Sequence, residues 1–231
     1  MEYPQNYYTG AVVARTSQTM KRVYVKMTLA LIVTAFVSMW CAGSQAFISF
    51  VFANRWAMWG LMLLELGLVI GISAGINKLS NTTASLLFYL FAVVNGAALS
   101  PIFIVYTGAS LAKTFFITAG TFGAMSVYGY FTKSDLTSIG KILFMALIGL
   151  IIASLVNLFM HSSTLDWIIS MFGVAIFVGL TAWDTQQIKR MAEEMPEAGV
   201  GRLATLGALS LYLDFINLFL YLLRFFGSSR D

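Results

Sequence analysis

Seven long apolar runs, separated by short loops, decide what this chain can fold into. They cover residues 27–51, 56–76, 84–107, 111–131, 140–160, 166–188 and 203–227. A helix needs about 20 apolar residues to cross the hydrocarbon core of a bilayer. Each run has that length, and together they use most of the 231 residues. The pattern therefore predicts an all-α membrane protein with seven transmembrane helices and no soluble domain.

Lysine and arginine residues predict the orientation in the membrane, because cytoplasmic loops carry an excess of them. A cytoplasmic N-terminus places ten of the 14 on the inner side and four on the outer side. The polar residues 1–23 then form a mobile cytoplasmic tail, and residues 24–231 form a single seven-helix transmembrane domain. The net charge of +4 has this topological meaning and does not indicate nucleic-acid binding.

The composition leaves little for catalytic or metal chemistry. Only 10% of the residues are charged, against about 25% in soluble domains. With one cysteine and one histidine, the chain has neither a disulfide framework nor a cysteine-based metal cluster. We therefore expect no enzyme active site and no cofactor, and the lipid bilayer as the main partner.

Two helical runs carry local signals for packing. In the fourth run, Gly120, Gly123 and Ser126 are small residues at short spacing, and we expect them to let helix backbones approach closely. In the third run, Pro101 lacks the backbone N–H that a continuous helix needs, so we expect a kink there.

The last apolar run, LSLYLDFINLFLYLLRFF, contains Asp214 among apolar residues. A carboxylate in hydrocarbon costs at least about 2.5–3.5 kcal/mol, so this side chain must face protein or water. The polar side chains of the run follow one another at intervals of four and three residues, which places them on one helical face. They are Ser210, Asp214, Asn217, Tyr221 and Arg224. The pattern predicts a polar seam that faces the protein interior or a water-filled cavity.

A second carboxylate is predicted to lie near Asp214. Asp184 belongs to GLTAWDTQQIKR in the sixth run, and Thr181 shares its helical face. Both aspartates are 15 residues from Gly199 in the connecting loop, so they reach a similar depth if the helical arms are similar in length. The charged loop is predicted over residues 189–202. Equal depth therefore requires the sixth helix to extend past the membrane surface, or the loop to be asymmetric.

The chemistry of two neighbouring carboxylates indicates a sensor. In a low-dielectric site they do not readily both ionise. A shared proton joins them on the acid side, whereas two charges repel on the alkaline side. The pair can also attract Ca²⁺ weakly, since this ion usually takes about six to eight oxygen ligands. The alternative is that each aspartate is structural and bonds to a neighbouring Asn, Tyr or Lys. Glu65 in the second run is a further carboxylate, either structural or on an ion pathway.

The same residues carry a resemblance to a known family. ALSLYLDFINLFLYLLRFFG resembles the last-helix signature of the Bax inhibitor-1 family, also called the transmembrane Bax inhibitor motif family. Further similarity lies in GLTAWDTQQIK, in NGAALSPIFIVYTGAS and at Glu65, and bacterial members are similar over essentially the whole chain. The resemblance implies a seven-helix bundle in the bacterial inner membrane, with the last helix central and enclosed by the other six.

The resemblance also implies a function. The family is associated with a pH-sensitive calcium leak, and its paired aspartates on the sixth and seventh helices match Asp184 and Asp214 by position. These two residues would form the pH sensor and gate and hold calcium weakly and transiently. Some members have a basic partner of the pair near the inner end of the second helix. Lys78 is the nearest candidate, although a lysine lacks the bidentate fork of arginine. Other candidates for pore-lining residues or neighbours of the pair are Glu65, Thr181, Ser210, Asn217 and Tyr221.

Three other functions stay open beside the transport of calcium ions. A proton-coupled carrier can also use two carboxylates, and it would saturate with its substrate. A non-catalytic modulator would bind another membrane protein. An intramembrane aspartyl protease fits poorly, because those enzymes typically carry a GxGD motif. The residues before the two aspartates, LTAW and LYL, have no glycine at the required places.

Overall fold

The computed structural model describes residues 5–196 and 199–230. Residues 1–4 of the predicted tail and residues 197 and 198 of the predicted loop lie outside this range. The helices are α1 (Gln5–Gly43), α2 (Gln45–Ala53), α3 (Arg55–Gly75), α4 (Asn81–Leu99), α5 (Ile102–Val105), α6 (Gly108–Phe131), α7 (Thr137–Met160), α8 (Ser163–Glu194) and α9 (Val200–Phe226). In the described part of the chain, the β structure is limited to an isolated antiparallel bridge between Tyr106 and Ser229. The all-α class is therefore confirmed.

Six helical stretches among the described residues are long and apolar enough to cross a membrane. They are Gly10–Gly43, Trp56–Gly75, Asn81–Val105, Thr137–Met160, Ser163–Glu194 and Val200–Phe226. The predicted number of seven is not confirmed. The predicted fourth span corresponds to α6, which has 24 residues but is interrupted by Lys113 and is rich in Gly, Ser, Thr and Tyr. These residues make α6 less apolar than the other six stretches.

The polar N-terminal segment is helical over residues 5–23 and is not separate from the first span. Helix α1 runs without a break from Gln5 into the first apolar run. Thr16, Thr19 and Val23 are almost completely buried, so one face of the segment is covered by protein. The Arg15 guanidinium also donates a 2.9 Å hydrogen bond to a backbone carbonyl near the end of α8. Burial along this face explains why the segment continues the helix.

Two predicted spans contain breaks. The first span, predicted to reach residue 51, is divided at Ser44, whose side chain accepts a hydrogen bond from the Phe47 amide and begins α2. In the third span the predicted kink is confirmed, because α4 ends just before Ser100 and Pro101. The Ser100 hydroxyl donates to the Ala97 carbonyl at 2.8 Å, which satisfies a carbonyl at the helix end.

Helices α8 and α9 are both longer than the predicted spans. Helix α8 continues to Glu194 and α9 begins at Val200, so the connection is much shorter than the predicted loop of residues 189–202. Asp184 lies ten residues before the end of α8, and Asp214 lies fourteen after the start of α9. The extension of the sixth helix was one of the two conditions for bringing the aspartates to equal depth.

The chain divides into two compact units. The first contains the described residues up to Val105 together with Ile188–Leu209. In it, α1 and α4 pack closely: the Ser38 hydroxyl donates to the carbonyl of Gly96 at 2.7 Å. A Cβ at Gly96 would meet the Thr34 backbone. Glycine at this position therefore allows the two helices to approach.

The second unit contains Tyr106–Gln187 and Ser210–Ser229. Close packing of α6 in this unit occurs at Gly129, where a Cβ would collide with the backbone of Ala182 on α8. The expected packing positions Gly120 and Gly123 have open space beside them, so that expectation was wrong for these two glycines. Ser126 is buried, as expected. The contact thus lies nearer the C-terminal end of α6 than the small-residue spacing indicated.

Candidate functional site

Asp184 and Asp214 come together in the second unit. Asp214, on α9, is buried with 5% of its surface exposed. Its side chain lies within hydrogen-bond reach of that of Asp184 on α8. A hydrogen bond between two carboxyl groups needs a proton on one of them. Two carboxyl groups in this position can therefore share one proton and so link the two helices.

The oxygens of the pair differ in their surroundings. The Ser210 hydroxyl donates a 2.6 Å hydrogen bond to Oδ2 of Asp184. Oδ2 of Asp214 is buried and has no hydrogen-bond partner among the described residues. Buried polar atoms nearly always have a partner, either protein or ordered water. A proton shared with Asp184, a water molecule or a cation would each satisfy this oxygen.

Glycines on neighbouring helices press against the turn of α8 that carries Asp184. A side chain at Gly129 of α6 would collide with Ala182, and one at Gly140 of α7 would overlap the Trp183 ring. Helices α6 and α7 therefore pack directly against the two residues that precede Asp184. Close packing at the base of an acidic side chain limits its positions, which favours a defined contact with Asp214.

Two residues of the predicted site bond within their own helices. The Thr181 hydroxyl donates to the Phe177 carbonyl at 2.7 Å, and the Asn217 amide donates to the Leu213 carbonyl at 2.8 Å. Side chains that return to the preceding turn of the same helix satisfy a polar group locally. Thr181 and Asn217 thus donate to carbonyls of their own helices, whereas Ser210 donates to Asp184.

The far end of the polar seam forms a separate cluster. The Tyr221 ring stacks on Phe177 with centroids 5.9 Å apart, and the Arg224 guanidinium lies 5.6 Å from the Tyr221 centroid. Arg224 also pairs with Asp166 at the start of α8 at 2.5 Å. Tyr221 and Arg224 thus join α8 to α9 at a second level along the seam.

Glu65 and Lys78 belong to the first unit. The Glu65 carboxylate accepts a 2.9 Å hydrogen bond from the Asn95 amide, which links α3 to α4. Lys78 lies exposed in the turn that follows α3. Their roles as a pore residue and as a partner of the pair stay predictions.

Comparison with known proteins identifies the family. The family model described as "Inhibitor of apoptosis-promoting Bax1" matches residues 16–231. The chain belongs to the Bax inhibitor-1 family. It is 52% identical over 214 residues to the inner membrane protein YbhL of Escherichia coli (strain K12), with 91% of this chain and 92% of YbhL covered. A protein of Borreliella burgdorferi (strain B31) is 45% identical over 212 residues, with 91% of each chain covered. A protein of Rickettsia prowazekii (strain Madrid E) is 45% identical over 213 residues, with 92% of this chain and 90% of the relative covered.

One polar contact in this Bax inhibitor-1 family member was missed in the sequence. Gln186, two residues after Asp184, accepts a 2.9 Å hydrogen bond from the Leu136 amide and donates one of 2.8 Å to the Ser134 carbonyl. Leu136 precedes α7 and offers no side-chain cap of its own. The amide of Gln186 therefore caps α7 from α8. The available signal was a glutamine inside the motif GLTAWDTQQIK, because a glutamine amide can accept one hydrogen bond and donate another.

Proposed function

We propose that this protein is a pH-sensitive calcium leak of the bacterial inner membrane, with Asp184 and Asp214 as sensor and gate. The observation that carries the proposal is the close approach of the buried Asp214 carboxyl group on α9 to that of Asp184 on α8. The family assignment supports it, and the name of the Escherichia coli relative, an inner membrane protein, supports the location. The activity is transport rather than catalysis, and it requires no cofactor.

The pair converts proton concentration into a change of contact between two helices. With a shared proton, a hydrogen bond holds Asp184 on α8 to Asp214 on α9. Without it, two negative charges face each other in a site of low dielectric and repel strongly. The two protonation states therefore favour different spacings of α8 and α9, and the calcium flux follows pH.

Calcium is the transported ion, and the pair can hold it only weakly. Ca²⁺ usually takes about six to eight oxygen ligands. Oδ2 of Asp214 is one available oxygen, and the carboxylate of Asp184, to which the Ser210 hydroxyl donates, lies close to the same side chain. No group of three or more His, Cys, Asp or Glu side chains in the described part of the chain could hold a metal ion. Weak, transient binding suits passage rather than storage.

The proposed architecture has seven spans, a cytoplasmic N-terminus and a central last helix. Helix α9 is the most buried candidate span among the described residues, with 56% of its apolar window buried against 6% for the span of α3. Tyr212, off the polar seam, is also fully buried, so burial of α9 is not limited to one face. Helix α6 completes the set of seven because its 24 residues are long enough to cross the bilayer.

The test is calcium flux into liposomes that contain the purified protein, measured from about pH 6 to 8. We expect the flux to depend on pH, and Asp184→Asn or Asp214→Asn to flatten that dependence, because an amide does not titrate. Glu194→Gln is the matched control, since it removes an exposed carboxylate from the same helix as Asp184. Absent flux, or a pH profile that survives both substitutions, would falsify the proposal. Flux that saturates with a second, co-transported substrate would instead indicate a carrier.

A further inference from the structure

A cavity of ≈ 430 Å³ lies in the first unit, beside the N-terminal part of α1 and the first residue of α9. Its lining residues are Ala11, Ala14, Arg15, Gln18, Arg22 and Val200. None of them belongs to the carboxylate pair or its neighbours. The cavity is therefore a feature separate from the proposed gate.

The helical repeat explains why these residues share one cavity. Ala11, Arg15, Gln18 and Arg22 follow at intervals of four, three and four residues, so they lie along one face of α1. The small side chains of Ala11 and Ala14 leave room beside the longer ones. Because α1 continues as a helix before the first apolar run, this face is ordered and presents two guanidinium groups in register.

Both arginines have donor capacity that the described protein does not use. The Arg15 Nη2 donates to the backbone carbonyl of Glu193, but its Nε is buried without an acceptor among the described residues. The guanidinium of Arg22, an exposed residue, makes no hydrogen bond or ion pair with any other described side chain. A guanidinium carries five N–H donors in a planar fork. The cavity wall thus offers fixed positive charge and free donors.

Helix α9 adds to the positive potential. Val200 is its first residue, and the first N–H groups of a helix have no partner within the helix. The aligned peptide dipoles place partial positive charge at this end. The first turn of α9 contains no acidic residue that would neutralise it.

We propose that this cavity binds a phosphate-bearing anion, either the headgroup of an anionic phospholipid or a soluble phosphate compound. Planar guanidinium groups match phosphate oxygens in bidentate geometry, and helix N-termini bind the same groups. The 39 residues of α1 span about 58 Å, well beyond the roughly 30 Å of the hydrocarbon core. Arg15 and Arg22 precede the first apolar run, so the cavity lies at the membrane surface, where both sources of phosphate are present.

The experiment uses the purified full chain, stripped of lipid in neutral detergent, with two arms. Pyrophosphate is titrated as the soluble probe by isothermal titration calorimetry. Phosphatidylglycerol is offered against phosphatidylcholine, and retained lipid is counted by native mass spectrometry. We expect saturable binding in one arm, and the arm that responds identifies the source of the phosphate. The double variant Arg15→Gln/Arg22→Gln should bind at least about tenfold more weakly, because charge-assisted hydrogen bonds are lost.

Two further variants keep the test decisive. Gln18→Glu adds a negative charge to the cavity wall between the two guanidinium groups, where it can pair with them, and it should also weaken binding. Lys21→Gln removes a charge from the same part of α1 but outside the cavity lining, and it should bind like the parent. Binding in neither arm overturns the proposal, as does binding that Gln18→Glu and the folded double variant leave unchanged. A loss in Lys21→Gln as large as in the double variant also overturns it, because it would indicate general surface charge. The readout is binding, so the result is independent of calcium flux.

Discussion

The side chains of Asp184 and Asp214 lie within hydrogen-bond reach of each other and connect α8 to α9, although 29 residues separate them in the sequence. A bond between them exists only while a proton lies between the two carboxyl groups. The two carboxyl groups differ in their other contacts: Asp184 accepts a hydrogen bond from Ser210, whereas Oδ2 of Asp214 has no partner among the described residues. A substitution at Ser210 should therefore change the pH at which the pair loses its proton, without removing either carboxylate.

Ser210→Ala should move the midpoint of the flux–pH profile to higher pH. The Ser210 hydroxyl donates to Asp184 at 2.6 Å, and such a bond stabilises a charged carboxylate. Its loss makes the doubly charged pair harder to form. The measurement is calcium flux into liposomes at closely spaced pH values.

Thr181→Val is the matched control for this prediction. The Thr181 hydroxyl lies one helical turn from Asp184 but donates to the Phe177 carbonyl of its own helix. The substitution replaces this hydroxyl with a methyl group of similar size and leaves both carboxylates unchanged. The midpoint of the flux–pH profile should therefore not move. Equal shifts in both variants would contradict the assignment of Ser210 as the donor to Asp184.

Gly129→Ala should destabilise the protein by roughly 1–3 kcal/mol, because overpacking forces the backbone apart. A Cβ at this position would collide with the backbone carbonyl of Ala182, and a backbone atom cannot move aside as a flexible side chain does. Gly120→Ala, on the same helix, has open space around the new methyl group and should not lower stability. Thermal unfolding of both variants in the same detergent compares them directly. Equal losses would show that α6 and α8 do not meet at Gly129.

Gln186→Leu should also lower stability, by about 1–3 kcal/mol, because the Leu136 amide loses its buried acceptor. The same substitution removes the side-chain donor that is hydrogen-bonded to the Ser134 carbonyl. Hydrogen exchange should report faster opening at the start of α7, since Gln186 supplies the cap there. Gln187→Leu changes the next residue in the same way but removes neither bond, and protection at Leu136 should be retained. If protection also survives in Gln186→Leu, the cap does not stabilise α7.

The helices of this protein could be predicted from the sequence because their causes are local. A backbone in hydrocarbon must satisfy its own hydrogen bonds, so long apolar runs become helices. Pro101 predicted the break in the third span because proline lacks the backbone N–H that a continuous helix needs. The break at Ser44 was missed, since the apolar run continues through it and only the side chain's bond to the Phe47 amide reveals the new helix start.

The aspartate pair could also be predicted from the sequence. Asp184 and Asp214 are the same number of residues from Gly199, and carboxylates in apolar helices need partners. Periodicity placed Asn217 on the same face as Asp214. It could not show that the Asn217 amide donates to the Leu213 carbonyl of its own helix. Helical spacing defines the face of a residue, but its hydrogen-bond partner depends on which neighbour is nearest.

The sequence alone therefore established the helical membrane class, the polar face of the last helix and the two acidic residues of the pair. Contacts between distant segments established the rest: Ser210 as the donor to Asp184, Gly129 rather than Gly120 as the packing position, and the basic cavity beside Val200. The reason is physical. Hydropathy and helical periodicity act within a few turns of one chain segment, whereas hydrogen bonds, close backbone approach and cavities depend on residues that folding brings from far away in the sequence.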